Sequence, residues 1–197
     1  MITKQQRFAK KTVLASAIST ALFAIAMPTQ AQSFTEFVEE GDVIAEVRVR
    51  SENVREDNDK DDAVAITARA RLGYETASLA GFQALVEYDQ VVALQDEYHS
   101  GSSIYPSNPA DLPTDPGKSV VADGAGGDFN RAQISYTHEA AKAILGRQRI
   151  KLDNDRFIGN VGWRQNEQTF DAFRADLTAV ENLSATYAYI NQRNTIK

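Results

Sequence analysis

After residue 31 the chain alternates apolar and polar residues with period two. Val43, Ala45, Val47 and Val49 alternate with Ile44, Glu46, Arg48, Arg50 and Glu52. A two-residue period with one apolar and one charged face predicts a β-strand between two different environments. Residues 64–75 repeat the pattern, with Val64, Ile66, Ala68, Ala70, Leu72 and Tyr74 on one face and Thr67, Arg69, Arg71 and Glu75 on the other. A third segment sets Phe82, Ala84, Val86 and Tyr88 against Gln83, Leu85, Glu87 and Asp89. A fourth sets Ala132, Ile134 and Tyr136 against Arg131, Gln133, Ser135 and Thr137. Residues 143–150 carry Arg147 and Arg149 on one face, and residues 169–177 put Phe173, Ala175 and Leu177 opposite Arg174 and Asp176. Residues 183–191 form a seventh segment, rich in Tyr and Ala, whose faces the pattern does not separate. No helix is expected in this part of the chain. The segments approach the roughly 9–11 residues that a tilted strand needs to cross a membrane. Strands of ordinary globular proteins average about five or six.

The connections alternate in length. Residues 54–62, 95–127 and 151–168 are long and polar, while 77–80, 139–142 and 179–182 are tight turns. Long loops on one side and short turns on the other are the habit of bacterial outer-membrane barrels. The expected fold is therefore all-β, a transmembrane antiparallel up-and-down β-barrel. The 95–127 connection holds four of the five prolines and the run Gly124-Ala125-Gly126-Gly127. It reads either as a surface loop or as a segment folding over the pore mouth.

The first 31 residues are different. Lys4, Arg7, Lys10 and Lys11 precede an apolar run over residues 13–27, and Thr29-Gln30-Ala31 offers small residues for cleavage. That order is the pattern of a secretory signal peptide. The expected organisation is residues 1–31 as signal and residues 32–197 as the N-terminal part of a barrel, exported through the general secretory route to the outer membrane. Cleavage removes four basic residues and no acid, taking the formal net charge from −6 to −10. Such a chain is not a nucleic-acid binder by bulk charge. The absence of cysteine removes disulfide frameworks and thiolate chemistry. No later stretch is apolar for long enough to be a transmembrane helix.

Candidate chemistry is sparse. Gly117-Lys118-Ser119 resembles the end of a phosphate-binding loop, but Leu112 stands where that pattern needs glycine. His99 and His138 are far apart and make no metal-ligand spacing. No serine–histidine pair marks a hydrolase, so no enzyme activity and no cofactor are expected. The charged residues carry more information. Strand parity places Arg48, Arg50, Arg69, Arg71, Arg131, Arg147, Arg149 and Arg174 on the polar face, which in a barrel is the lumen. Glu46, Glu52, Glu75, Glu87, Asp89 and Asp176 share it. These residues, Glu87 among them, are expected to line the pore. They serve either as carboxylate-paired rungs between strands, Glu46 with Arg71 for example, or as a basic track for anions.

Gly146-Arg147-Gln148-Arg149-Ile150 leads into Asp155-Arg156-Phe157, then Gly162-Trp163-Arg164-Gln165, then Phe170-Asp171. This stretch resembles the alginate-export porins of bacterial outer membranes. The resemblance implies a large single-chain barrel with more strands than the seven counted here, and a pore for small anionic or carbohydrate solutes, polyuronate among them. The odd strand count and the ending Asn194-Thr195-Ile196-Lys197 lead us to expect a truncated product or fragment. Asp155, Arg156, Trp163 and Arg164 lie in the motif's loop and are expected to form a constriction. The expected partners are outer-membrane lipid and the transported solute. Oligomeric state is left open. The competing reading is a soluble periplasmic β-sandwich or lipocalin-like binder, in which the apolar faces would be buried.

Overall fold

The computed structural model describes residues 34–101, 115–180 and 183–196. The expected signal peptide lies outside the described residues, as do residues 102–114 of the longest connection and residues 181–182 of the last turn.

Seven strands form one antiparallel sheet in sequence order: β1 (Asp42–Val54), β2 (Ala63–Glu75), β3 (Phe82–Glu97), β4 (Gly126–His138), β5 (Ala141–Gln148), β6 (Thr169–Val180) and β7 (Leu183–Asn194). Each strand pairs with the next, as expected of an up-and-down barrel wall. The sheet is open, with β1 and β7 at its edges. β3 continues eight residues beyond the Asp89 at which the alternation was read to stop. β4 starts earlier than expected, at Gly126, and β5 ends at Gln148, which leaves Arg149 in the following loop. A short helix, α1 (Phe34–Glu39), precedes β1 and departs from the all-strand expectation. Its end is fastened to the sheet, where Ala77 N donates to the Phe37 carbonyl at 3.1 Å and Gly41 N donates to the Tyr74 hydroxyl at 3.0 Å.

The alternation of long and short connections is present. The β2–β3 turn closes on Ala80 and Gly81, with φ of 50° and 88°. A side chain at Gly81 would meet the Thr137 carbonyl at 2.4 Å, so only glycine fits there. Between β4 and β5, Glu139 adopts φ 48°.

Burial runs opposite to that of a soluble protein. Val47 is 77% exposed, and Val43, Val49, Leu72, Val86, Ile134 and Leu145 are exposed with it. Arg69, Arg71, Glu87, Asp89 and Thr67 are buried. A sandwich or lipocalin would bury the face that carries Val47. Here the apolar face points outward and the buried interior is polar, which suits lipid outside and a hydrated lumen within. The faces of β7 are also resolved. Tyr187 and Tyr189 stand opposite Ala175 and Phe173, on the apolar side.

Two register shifts matter for the site. One lies between Ile66 and Thr67 of β2. At the other, Glu87 pairs with Arg131 and Tyr88 with Phe129, so Asn130 is an extra residue in β4. A bulge of this kind re-aims side chains, and Asn130 and Arg131 both reach Glu87, at 2.7 and 2.5 Å.

Candidate functional site: the lumen face and its loops

The β5–β6 connection, residues 149–168, has two lobes. The outer lobe carries Asp155, Arg156 and Phe157 and is exposed. Lys151 pairs with Asp155 at 3.0 Å, and the Arg156 guanidinium lies 5.7 Å from the Phe157 ring. The inner lobe is closed at its base by Gln168 N donating to the Asn160 carbonyl at 2.7 Å. It begins at Val161, whose φ of 53° is strained for a β-branched residue. From there it lies across the polar face and reaches β1 and β2.

The reach is made by arginines and amides. Arg48 donates to the Gly162 carbonyl at 3.2 Å and to the Arg164 carbonyl. Arg50 donates to the Trp163 carbonyl at 2.7 Å. The Trp163 ring has the Arg50 guanidinium 4.7 Å away and that of Arg164 4.2 Å away, a cation–π arrangement. Trp163 thus packs the loop rather than joining an aromatic girdle. Gln165 is fully buried between Arg48, Thr67 and Arg69.

The β3–β4 connection also turns inward. Tyr98 and Val121 pack against Ala63 and Ala65, on the same face as Thr67 and Arg69. Tyr98 donates its hydroxyl to the Asp123 carbonyl at 2.9 Å. Of the two readings of this loop, its described residues follow the one that folds over the mouth, because Tyr98 and Val121 have apolar surface to bury there. The two loops then clasp. Gln165 N donates to Asp123 Oδ1 at 2.9 Å, and Asn166 Nδ2 donates to the Gly124 carbonyl at 3.0 Å.

Beneath the inner lobe lies a charge network. Glu87 accepts from Arg131, Arg149 at 2.7 Å and Asn130, with Arg71 at 3.3 Å. Arg71 grips Asp89 with two bonds of 2.7 Å and lies 3.1 Å from Glu167. Glu167 also accepts from Arg149 and from Asn130. Arg69 pairs with Glu46 at 2.5 Å, and Arg71 lies 3.7 Å from the same carboxylate. The Glu46–Arg71 rung expected from the pattern is therefore in register and close enough to pair. A second group joins Arg50 and Arg164 to Glu52 and Asp123. Arg147 bridges Asp128 at 3.0 Å and Asp171 at 2.9 Å. Arg174 pairs with Asp176 at 2.9 Å.

The two buried loop carboxylates end up shifted in opposite directions. Burial alone pushes Glu167 up, but the cations Arg149 and Arg71 and the Asn130 amide outweigh it and hold its carboxyl below the usual range. For Asp123, burial prevails over the Gln165 amide and the cations Arg50 and Arg164, and the carboxyl is pushed up.

The residues expected at the site divide accordingly. Arg69, Arg71 and Glu87 are 1%, 7% and 0% exposed, because the inner lobe covers them. They face the loop rather than an open passage. Arg50, Arg131, Arg147, Arg149 and Arg174 each keep a carboxylate partner and some exposure. Arg48 is spent on loop carbonyls. Trp163 and Arg164 belong to the inward lobe, Asp155 and Arg156 to the outward one. The sequence reading did not single out Gln165, Asn166, Asn130 and Asp123, and Glu167, a candidate partner for its loop neighbours Arg156 and Arg164, pairs with Arg71 and Arg149 instead. A signal for the three amides, Gln165, Asn166 and Asn130, was present, since an amide carries donors and an acceptor without charge and suits a buried polar interior.

A cleft of about 650 Å³ opens beside the inner lobe, lined by Arg149, Lys151, Arg156, Phe157, Trp163 and Glu167 among others.

Comparisons with known proteins agree with this architecture. The family described as alginate export matches residues 44–191. The crystal structure of Acinetobacter baumannii OccAB1 is similar in fold, with a TM-score of 0.58 and 13% sequence identity, over 84% of this chain and 37% of that one. The chain thus spans little more than a third of the length of that structure. No curated protein matches.

Proposed function

The chain belongs to the alginate export family, and from that premise we propose that it forms wall and constriction of an outer-membrane channel passing small anionic or carbohydrate solutes, polyuronates among them. Transport is passive diffusion through a hydrated lumen, with width and charge setting selectivity. The observation that carries this reading is the inward-folded loop on a polar face whose reverse is apolar and exposed. The loop narrows the passage. The cleft beside it supports the solute class. Arg149, Lys151 and Arg156 offer cations to carboxylates, and Phe157 and Trp163 offer aromatic faces to sugar rings. Residues 1–31 serve as the export signal and residues 32–197 as the barrel portion in this reading.

Arg147 and Arg149 lead into the loop and supply its test. Each bridges two carboxylates. Removing both guanidiniums leaves Asp128, Asp171, Glu87 and Glu167 under-compensated, so the local field turns negative. The Arg147→Ala/Arg149→Ala double variant is expected to shift reversal potentials in a salt gradient toward cation selectivity. The shift is larger in dilute salt, where the Debye length grows from about 10 Å at 0.1 M to about 30 Å at 0.01 M. Arg131→Ala, near a strand bulge, has the smaller effect. Unchanged reversal potentials in a barrel whose edges are sealed would sink the assignment of these arginines to the pathway, and such a barrel that opens no channel would sink the function.

A further inference from the structure

The wall and both inward loops meet at one residue, Gln165. We propose that Gln165 is the positioning residue that fixes how far the β5–β6 loop extends into the lumen, and so sets the free width of the pore. The proposal rests on the channel reading above.

The geometry is specific. Gln165 is 0% exposed. Its Nε2 donates to the Arg48 carbonyl at 3.2 Å, the Thr67 carbonyl at 3.0 Å and Thr67 Oγ1 at 3.0 Å. Its Oε1 accepts from Arg48 Nε at 3.1 Å. Its own carbonyl accepts from Arg69 Nη1 at 3.0 Å, and its N–H donates to Asp123. One residue therefore ties β1, β2 and the β3–β4 connection to the loop. Thr67 sits where the β2–β3 register shifts, and ladder bonding is interrupted at such a site. The amide supplies donors there.

The chemistry requires an amide. Backbone carbonyls need a donor, and Arg48 needs an acceptor. A carboxylate offers no donor and an alkyl chain offers neither. A buried donor or acceptor left unmatched is costly, so the wall holds the amide in one place. Glu167 also ties the loop to Arg71 and Asn130, at its base. The Trp163 ring is largely exposed, and Asn166 makes its side-chain bond to the other loop rather than to a strand.

The chain's single tryptophan lies two residues away, at position 163. Its fluorescence anisotropy therefore reports the inner lobe alone. Two variants separate hydrogen bonding from packing. Gln165→Met keeps the length of the side chain and loses the amide, while Gln165→Ala loses both. In protein purified from outer membranes, both are expected to raise single-channel conductance and lower Trp163 anisotropy. Thr67→Val, which keeps the side chain's shape and removes one acceptor, is expected to move both readouts less and in the same direction. It decides the question should the Gln165 variants not fold. A Gln165→Met protein that matches wild type in both readouts overturns the proposal, as does a Thr67→Val protein with no change in either. If the wild-type protein conducts and the variants conduct identically, the positioning role alone fails. If the wild-type wall forms no channel even with its edges sealed in a closed barrel, the channel reading fails and the proposal falls with it.

Discussion

Arg71 is the side chain on which most of the covered charge converges. It is buried and touches Asp89, Glu87, Glu167 and Glu46. Buried ion pairs add little net stability when whole, yet removing one partner strands a charge. Arg71→Ala is expected to cost about 3–5 kcal/mol, read as a shift in the urea midpoint of the lipid-embedded protein. A change typical of an exposed arginine would contradict the network. Glu167 carries a pH signature. It is faced by Arg149, Arg71 and Arg69 and by the Asn130 amide, and its folded pKa is depressed. Its contribution is full above the ordinary glutamate value of about 4.3 and is lost as pH falls through the lower folded value. Asp123 works in the opposite sense. Its folded pKa is raised, so its contribution is full below the ordinary aspartate value of about 3.9 and is lost as pH rises through the folded one. Acidification from neutral therefore first relieves Asp123 and only later weakens Glu167. Trp163 anisotropy should hold or rise in mild acid and fall only once pH drops below the ordinary glutamate value of about 4.3. Release of the loop between neutrality and pH 5 would count against the pairing described for Glu167.

At the scale of elements, the strands carry their own test. Val47 lies near the middle of β1 and is 77% exposed. Arginine on a lipid-facing position near the midplane costs about 2–4 kcal/mol, whereas an exposed site on a soluble protein changes by about 0.5 or less. Val47→Arg is thus expected to destabilise the folded protein in bilayers by the larger amount, measured by chemical unfolding. A neutral result would mean that β1 faces water. The strands were legible because period two is a local property, needing only neighbouring residues. β3 was read short because Gln90, Val91 and Val92 break the alternation, although Val91 still turns inward beside Asp89. The helix α1 has six residues, too few for a 3.6-residue period to register. The loops were legible only by length. Their inward course depends on contacts such as Arg48 with Gln165, which are 117 residues apart and leave no local pattern. Parity grouped the strand arginines on one face, but the register sets Arg147 between Ala132 and Asp171, in the outward row of Val86, and Arg149 lies in the loop; which arginines the loop covers was not visible from the strands either.

For the whole molecule, the sheet's open edges matter. β1 and β7 present thirteen and twelve residues of strand edge. In hydrocarbon each unmatched backbone group costs several kcal/mol, so these edges must be sealed for the wall to stand in a bilayer. The seven strands alone are expected not to give a heat-modifiable monomer on a cold gel, and a band of that kind would contradict the need for further strands. Export is expected to proceed with cleavage after Ala31, which mass spectrometry of the mature N-terminus reads directly; an envelope protein that still begins at Met1 would refute it. The central claim is that this sheet is a membrane wall with lipid on one face and a loop-filled polar lumen on the other. The most direct measurement is a nitroxide scan along β1, from Val43 to Glu52, in reconstituted bilayers. The account predicts period-two alternation, with oxygen accessibility high at Val43, Val47 and Val49 and low at Glu46, Arg48 and Arg50. Uniform water accessibility along the strand, or the opposite alternation, would contradict it.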